Sequence, residues 1–271
     1  MSTPEIAAKA ERLGGILRAH ATLVIAYSGG VDSAYLLAAA RAALGERMLG
    51  VIADSPSLPR QALAEALKLA GEIGALVEVV ATEELQDERY AANPVNRCYF
   101  CKAELFTKLD ALARERGYAA IAYGENADDM LQVRPGRAAA EEFRVIAPLR
   151  DAGLRKADIR ELSRKLGLPT ADAPAQPCLS SRIPHGTPVT AGALAMIERG
   201  EALVRSLGFK VFRVRHLALG GETRARVQVA PEEMERIARV TGALLSGLRA
   251  AGYDSVEIDP RGYRSPAPQT Q

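Results

Sequence analysis

Three cysteine thiols are the residues of this chain whose type and spacing most directly suggest chemistry. Cys98 and Cys101 form a C-x-x-C pair in the stretch NRCYFCK, and Cys178 lies much further along in PCLSSR. A C-x-x-C pair occurs in redox disulfides, in zinc sites and among the ligands of iron–sulfur clusters. The cysteine count is odd and the N-terminus has no apolar signal segment, so a disulfide framework is not expected. We expect a cytoplasmic protein that uses its thiols.

A second chemical signal is the stretch SGGVDS, between a predicted strand and a predicted helix. Gly29 and Gly30 let the backbone approach an anion, and the N–H groups of a helix start favour phosphate. Ser28 and Ser33 can donate hydroxyl hydrogen bonds. Asp32 would repel a bare phosphate unless Mg²⁺ bridges the two groups or the carboxylate orients a donor. The stretch fits neither a Walker A loop nor a dinucleotide fingerprint, so it predicts a different phosphate loop; an ordinary Ser/Gly turn is the alternative.

The pattern around these residues predicts an α/β fold with a parallel sheet. Apolar runs alternate with segments of helical period, and such alternation is typical of βαβ units with helices on both faces of the sheet. The predicted strands are 22–27, 48–53, 76–80, 119–123 and 145–149, and the predicted helices are 34–44, 60–73, 102–116 and 156–166.

The composition changes in the segment 168–188, which contains five prolines and predicts an ordered connection. Beyond it the pattern predicts a small α+β unit whose two first strands form a hairpin around Gly220-Gly221. Its predicted elements are helix 191–207, strands 210–216 and 224–229, helix 231–249 and strand 255–258. We therefore predict a phosphate-loop domain over 1–188 and a second domain, for substrate binding or oligomerisation, over 189–271.

Polar residues follow two of the predicted strands, at the edge of the sheet where ligands bind in such folds. Asp54 and Ser55 begin ADSPSLPR and are predicted to contact a nucleotide. Asp128 and Asp129 in GENADD could hold Mg²⁺ or could simply be the acidic first turn of a helix. Arg134, in the loop RPGR with a second arginine, could meet a substrate phosphate.

Taken together, these stretches resemble a known family. SGGVDS resembles the PP-loop of the ATP-pyrophosphatase superfamily, whose members adenylate a carbonyl or carboxylate oxygen and release pyrophosphate. With ADSPSLPR, NRCYFCK, GENADD, RPGRAAAEE, PCLSSRIPHGTPVT, FRVRH and ARVQV, the chain resembles the LarE family of ATP-dependent sulfurtransferases, which mature the nickel-pincer cofactor of lactate racemase. The resemblance implies ATP and Mg²⁺, and a substrate, pyridinium-3,5-biscarboxylic acid mononucleotide, whose carboxylates become thiocarboxylates.

The resemblance also assigns roles to individual residues. Cys178 aligns with the sulfur-donor cysteine of the family and Arg182 with the arginine of the same motif. Arg213 and Arg215 in FRVRH align with a substrate-binding arginine pair. SGGVDS aligns with the pyrophosphate loop, which makes Asp32, with Cys178 and Arg182, a predicted catalytic residue.

The chemistry of the three cysteines stays open at this point. Their thiolates could hold three corners of a [4Fe–4S] cluster and leave one iron open to carry a sulfide, which would permit repeated turnover. This arrangement resembles a three-cysteine branch of the family. The alternatives are a zinc site completed by His185, a redox C-x-x-C, ordinary core thiols, and a sacrificial Cys178 that becomes dehydroalanine while the C-x-x-C is incidental.

Composition narrows the expected partners. The net charge of +2, without a Lys/Arg-rich block, gives no reason to expect nucleic acid, and no run is long enough to span a bilayer. We expect a small mononucleotide substrate, a sulfur-supplying protein or free sulfide, and a homo-oligomer. The rival functions are a tRNA-thiolating PP-loop enzyme, an ATP-dependent amide synthetase and a non-enzymatic nucleotide sensor.

Overall fold

The computed structural model describes residues 4–131, 134–174 and 176–263. These form two compact units. The first unit runs to Glu84 and resumes over Asn96–Gln176, and the second contains Leu85–Val95 together with the chain from Pro177 onward. The division into functional domains at residue 188 stays a prediction. No helix in the described ranges is long and apolar enough to cross a membrane.

The first unit contains a parallel sheet with helices on both of its faces, which confirms the predicted α/β class. The strands, in the spatial order β3-β2-β1-β4, are β1 (Leu23–Ala26), β2 (Met48–Asp54), β3 (Val77–Ala81) and β4 (Ala120–Tyr123). The helices of this unit are α1 (Pro4–Arg18), α2 (Val31–Leu44), α3 (Arg60–Ile73), α5 (Arg97–Arg116), α6 (Pro135–Glu142), α7 (Pro148–Asp151) and α8 (Lys156–Lys165), while α4 (Glu88–Ala91) belongs to the second unit.

The central strand β1 shows why the sheet is covered on both sides. Leu23 and Ile25 are buried in one apolar cluster, with α2 residues such as Leu36. Val24, which points the opposite way, is buried in a second cluster with α5 residues such as Phe106. Alternate side chains of a strand point to opposite faces, so a strand that is apolar at every position needs two covering layers.

The predicted fifth strand over 145–149 is wrong among the described residues. Only Ile146 bridges to the sheet, through an isolated parallel pairing with Ala122. Pro148 then begins α7, where its missing N–H is harmless, whereas in a strand it would leave a gap in the hydrogen-bond ladder. The apolar run instead forms an isolated bridge at Ile146 and the first residues of α7.

The second unit contains a three-stranded sheet and the predicted hairpin. Its elements after α4 are α9 (Ala191–Ser206), β5 (Phe212–Leu219), β6 (Glu222–Val229), α10 (Met234–Arg239), α11 (Thr241–Ala250) and β7 (Ser255–Ile258). β5 and β6 are antiparallel, and β7 pairs parallel to β6. Gly220 and Gly221 have φ of 61° and 88°, the left-handed conformations that a two-residue hairpin turn requires. The helix expected over 231–249 begins with a 3₁₀ turn, Pro231–Glu233, and is interrupted at the β-branched Val240 between α10 and α11.

The segment Leu85–Val95 belongs to the second unit although it interrupts the sequence of the first. Asn93, fully buried with φ of 56°, donates from its side-chain amide to the carbonyls of Pro184 and Thr187 at 2.8 Å each. The hydroxyls of Tyr90 and Ser180 are 2.7 Å apart. These buried polar contacts join two segments about ninety residues apart in sequence.

A buried histidine lies on the apolar face of β5. His216 is 5% exposed, its Nδ1 has no hydrogen-bond partner in the described structure, and its ring centroid is 5.6 Å from that of Tyr253. Burial lowers the pKa of His216, since the apolar surroundings disfavour the charged imidazolium.

This predicts an acid-sensitive second unit. The unfolded state binds a proton at the ordinary histidine pKa near 6.5, and the folded state binds it only at lower pH, so stability is lost as pH falls below about 6.5. Urea unfolding at pH 7, 6 and 5 should show a fall of at most about 1.4 kcal/mol per pH unit, the limit for one proton. His216→Leu should reduce this fall, and the control His20→Gln should leave it unchanged. Identical pH slopes for His216→Leu and the wild type would contradict the prediction.

Candidate active site

The stretch SGGVDS forms a tight loop between β1 and the start of α2, as predicted. Gly29 has φ of 75°, and a Cβ on it would lie 2.7 Å from the Cβ of Ala66. The hydroxyls of Ser28 and Ser33 are 3.0 Å apart, and the Ser33 hydroxyl accepts from the Ser28 N–H at 3.2 Å. Ser33 also donates to the carbonyl of Gly30 at 3.0 Å. The predicted phosphate-loop residues are thus gathered at one helix N-terminus, the geometry that binds phosphate elsewhere.

The loop after β4 packs directly against this helix start. A Cβ on Gly124 would lie 2.9 Å from the backbone nitrogen of Ser33, so only glycine allows the two backbones to come this close. The GENADD stretch that begins at Gly124 therefore lies beside the phosphate loop. The nearness of these two motifs follows from the adjacent pairing of β1 and β4.

Only one of the two carboxylate oxygens of Asp32 has a hydrogen-bond partner among the described residues. Its Oδ2 accepts from Nζ of Lys156 at 2.6 Å, and its buried Oδ1 has no hydrogen-bond partner among the described residues. Asp128 accepts the backbone N–H of the same Lys156 at 2.8 Å, and Asp129 forms an ion pair with Arg134 at 2.7 Å. Burial raises the pKa of Asp129, against the opposing charge of Arg134.

These contacts test how well the loop fits Mg²⁺. A buried carboxylate oxygen without a donor is the kind of ligand that Mg²⁺ accepts, so Asp32 fits the ion that ATP would bring. Asp128 and Asp129 instead accept hydrogen bonds or ion pairs from the protein. Across the described ranges no three His, Cys, Asp or Glu side chains are grouped as a metal site. Mg²⁺ binding by Asp128 and Asp129 stays a prediction.

Glu125 of the same stretch is a buried acid that the sequence did not single out. Its carboxylate accepts from Arg137 at 2.9 Å and from Arg150 at 3.0 Å. Burial alone would raise the pKa of Glu125, but hydrogen bonding and the two guanidinium charges lower it. The triad ties α6 and α7 to the loop after β4. The predicted loop over RPGR is wrong, because Pro135 begins α6 and Arg137 lies in its first turn, where Glu125 engages it. Contact between Arg134 and a substrate phosphate stays a prediction.

Asp54 and Ser55 lie at the carboxyl end of β2, in a loop that is ordered by its own hydrogen bonds. Arg60 forms an ion pair with Asp54 at 2.5 Å. The hydroxyls of Ser55 and Ser57 are 2.8 Å apart, and Ser57 donates to buried Glu84 at 3.1 Å. Contact between this loop and a nucleotide stays a prediction.

The C-x-x-C pair lies on a helix, and the start predicted for this helix, residue 102, is wrong. α5 begins at Arg97, so Cys98 and Cys101 are in its first turns, Cys98 exposed and Cys101 half-buried. The stretch NRCYFCK lacks apolar residues at helical period, which is why sequence reasoning began this helix only at 102. Cys98 and Cys101 belong to the first unit and Cys178 to the second. The three-cysteine cluster, like the zinc alternative with His185, stays a prediction.

Cys178 itself begins a tightly hydrogen-bonded turn in the second unit. It precedes the 3₁₀ turn Leu179–Arg182, and its carbonyl accepts from the Ser181 N–H at 3.0 Å and the Ser181 hydroxyl at 2.7 Å. Arg182 adds a third donor to this carbonyl at 3.0 Å. The thiol is half-buried. The backbone that carries the sulfur is therefore held in one conformation.

Arg182 is fixed in turn by a buried carboxylate on α9. Its Nε and Nη2 donate to the two oxygens of Glu201 at 2.8 and 2.9 Å, and both side chains are almost fully buried. Glu201 also accepts the backbone N–H of Val214 on β5 at 3.2 Å. This bidentate pair joins the Cys178 turn, α9 and β5.

The predicted arginine pair lies on β5 beside the same turn. Arg215 donates to the carbonyl of Ser181 at 2.8 Å, and the Arg213 guanidinium lies 4.6 Å from the ring centre of Tyr263. Burial, and then the charge of Arg182, lower the pKa of both Arg213 and Arg215. Repelling cations held this close favour an anion between them, so the cluster suits a phosphate or carboxylate.

Sequence reasoning thus found the arginines but missed the acids and the lysine that fix the two sites. Glu201 had a readable signal, because it lies among Ile197, Gly200 and Val204 on the buried stripe of a helix. Lys156 and Glu125 had none, since their contacts depend on how distant segments meet.

Comparison with known proteins agrees with this geometry. No family model matches the chain. An uncharacterised protein of Synechocystis sp. is 40% identical over 89% of this chain and 90% of its own length. The pyridinium-3,5-bisthiocarboxylic acid mononucleotide synthase of Lactiplantibacillus plantarum is 30% identical over 96% of this chain and 93% of its own length. One subunit of the glutamine-hydrolysing GMP synthase of Archaeoglobus fulgidus is 31% identical, over 54% of this chain and 51% of its own length.

The match to the Lactiplantibacillus plantarum enzyme extends through both units, from the phosphate loop to the arginines of β5. It is the same resemblance that the sequence motifs carry. The chain belongs to the LarE family of pyridinium-3,5-bisthiocarboxylic acid mononucleotide synthases.

Proposed function

We propose that this protein is an ATP-dependent sulfurtransferase that converts the carboxylates of pyridinium-3,5-biscarboxylic acid mononucleotide into thiocarboxylates, for nickel-pincer cofactor synthesis. The observation that carries the proposal is the cluster in the second unit. There a cysteine-bearing turn is held by Arg182 and Arg215, beside Arg213. A thiol next to a cluster of arginines suits the transfer of sulfur to an anionic substrate. The family membership supports the same function.

The first step is activation of a carboxylate by ATP. A carboxylate oxygen attacks the α-phosphorus, the bond from that phosphorus to the bridging oxygen breaks, and pyrophosphate leaves. SGGVDS would hold the phosphates through Ser28, Ser33 and the N–H groups at the start of α2. Mg²⁺, which Asp32 fits, would neutralise phosphate charge. The N–H groups at the start of α2 are in place before the reaction, so they need little reorganisation.

The second step replaces AMP by sulfur. The Cys178 thiolate would attack the adenylated carbonyl, release AMP and form a thioester. Loss of the Cys178 Cα proton and cleavage of its Cβ–S bond would then leave a thiocarboxylate on the product and dehydroalanine in the protein. In the alternative, Cys98, Cys101 and Cys178 would bind a [4Fe–4S] cluster, which would supply sulfide and spare the cysteine.

A second candidate function is an ATP-dependent amide synthetase. It is favoured by the partial similarity to one subunit of a glutamine-hydrolysing GMP synthase. Such an enzyme would use the same adenylation step, but ammonia would displace AMP. The cysteines would then have no part in the chemistry.

Cys178→Ser separates these functions. We expect substrate-dependent pyrophosphate release to persist in a single turnover while thiocarboxylate formation falls below detection, because the activating groups lie elsewhere and a hydroxyl cannot supply sulfur. Chromatography of the product beside a pyrophosphate assay measures both. An amide synthetase would instead form its full yield of product with Cys178→Ser.

The same assay with Cys98→Ser, in anaerobically purified protein, separates the two sources of sulfur. Sacrificial transfer predicts an unchanged first turnover in Cys98→Ser and a loss of about 34 Da, one H₂S, from the reacted wild type. Cluster-mediated transfer predicts iron in the wild type, several products per protein, and loss of activity in Cys98→Ser. The absence of both a mass change and bound iron would contradict the proposed sulfur chemistry.

Arg215→Met should weaken binding of the mononucleotide but not of ATP. Loss of a charge-assisted hydrogen bond costs about 1.5–3 kcal/mol, so KM for the mononucleotide should rise roughly 10- to 100-fold. KM for ATP should stay the same. Arg249→Met, at an exposed arginine of α11 in the same unit, is the matched control. Equal KM values for Arg215→Met and Arg249→Met would remove Arg215 from substrate binding.

A further inference from the structure

We propose that Lys156 is a phosphate-contacting residue whose ammonium is held by Asp32 before ATP binds and moves to the leaving pyrophosphate when ATP·Mg²⁺ enters. This inference rests on the proposed adenylation and adds a residue to it. Lys156 lies outside the sequence motifs that identify the phosphate loop. It is found only through the structure, where its Nζ lies 2.6 Å from Oδ2 of Asp32.

The position of Lys156 is fixed by its backbone. It is the first residue of α8, and its N–H donates to Asp128 at 2.8 Å. Asp158, in the same helical turn, accepts from the N–H of Arg155 at 3.1 Å and from Lys9 of α1 at 3.0 Å. The start of α8 is therefore anchored both to the GENADD stretch and to α1. A lysine on this anchored turn reaches the phosphate loop without any rearrangement of the backbone.

The side chain, by contrast, is able to move. Lys156 is 41% exposed while Asp32 is 19% exposed, so the ion pair is open to solvent on its lysine side. An ion pair this accessible to solvent is weak, and a stronger ligand can break it. A polyphosphate is such a ligand, because it carries several negative charges.

The charges explain why the pair exists and why it would open. Asp32 places a carboxylate in a loop built to receive phosphate, and Lys156 balances that charge while no ligand is bound. The buried Oδ1 of Asp32 has no protein donor in the described structure. When Mg²⁺ arrives with ATP, the cation can take over the carboxylate, and the ammonium is then released toward the phosphates.

During adenylation the Lys156 ammonium would act by charge alone. As the carboxylate oxygen bonds to the α-phosphorus, the electrons of the breaking bond pass to the bridging oxygen, and negative charge grows on pyrophosphate. Lys156 would donate hydrogen bonds to those oxygens without transferring its proton. Groups that neutralise a leaving phosphate in this way accelerate its departure.

The test is binding of magnesium pyrophosphate, measured by titration calorimetry, in the full chain and three variants. Lys156→Met should weaken binding about tenfold or more, the loss expected for one charge-assisted contact, while Lys156→Arg should stay within a few-fold of wild type. Lys165→Met is the matched control on the same helix, where the lysine pairs with Glu161 and should not affect binding. Thermal unfolding of each variant checks that it is folded.

Pyrophosphate–ATP exchange with the mononucleotide separates this inference from the proposed function. Exchange in the wild type and a roughly 100-fold lower rate in Lys156→Met would support both. Exchange in the wild type, with equal pyrophosphate binding by wild type and Lys156→Met, would overturn the role of Lys156 and leave the function standing. Absence of wild-type exchange would overturn the function, and the role of Lys156 would then be decided by binding alone. Weak binding by Lys156→Met and Lys156→Arg alike, both folded, would show a specific geometric role for the amine and overturn the charge role.

Discussion

The buried ion pair between Arg182 and Glu201 is the interaction on which the Cys178 site depends. Two oppositely charged groups that are almost fully withdrawn from water are costly unless each hydrogen bond is made, and here both carboxylate oxygens are used. Arg182 then has a further N–H directed at the carbonyl of Cys178. Removal of either partner would leave the other charge buried without compensation. The backbone of Cys178 is thus positioned by a carboxylate on α9, acting through the arginine.

Charge balance differs between the two units, and the difference matches their proposed tasks. In the first unit the acids of the loops are matched by cations, Glu125 by two arginines and Asp32 by Lys156. A loop balanced in this way tolerates both a magnesium ion and a polyphosphate. In the second unit Arg213 and Arg215 are added to an already compensated Arg182, and burial, followed by the charge of Arg182, lowers the pKa of each. An anion from solution would relieve that repulsion.

Local patterns predicted the parts of this structure that local forces decide. SGGVDS lies between a strand and a helix, and the Gly220-Gly221 turn joins two strands, because glycine conformations and strand periodicity act over a few residues. The apolar run around Ile146 and the start of α5 at the C-x-x-C pair were misread, the first because Pro148 starts a helix, the second because NRCYFCK has no apolar residues at helical period. Lys156 reaches Asp32 across 124 positions, and Glu201 reaches Arg182 across 19. A sequence pattern can indicate that a residue such as Glu201 is buried. It does not indicate which distant residue will be its partner, because that contact forms only when the sheet and its helices assemble.

The excursion of Leu85–Val95 into the second unit has a consequence for the order in which the chain can fold. A ribosome completes Asn93 long before it completes Pro184 and Thr187, whose carbonyls are the partners of the Asn93 amide. The first unit, by contrast, has all the strands of its sheet once Tyr123 has been made. The nascent chain can therefore form the first unit's parallel sheet early, before the segment Leu85–Val95 has the partners of its Asn93 amide. Since the second unit needs that segment, a fragment that begins at Pro177 cannot fold as an independent module. Folding of the second unit therefore depends on a segment that is synthesised together with the first.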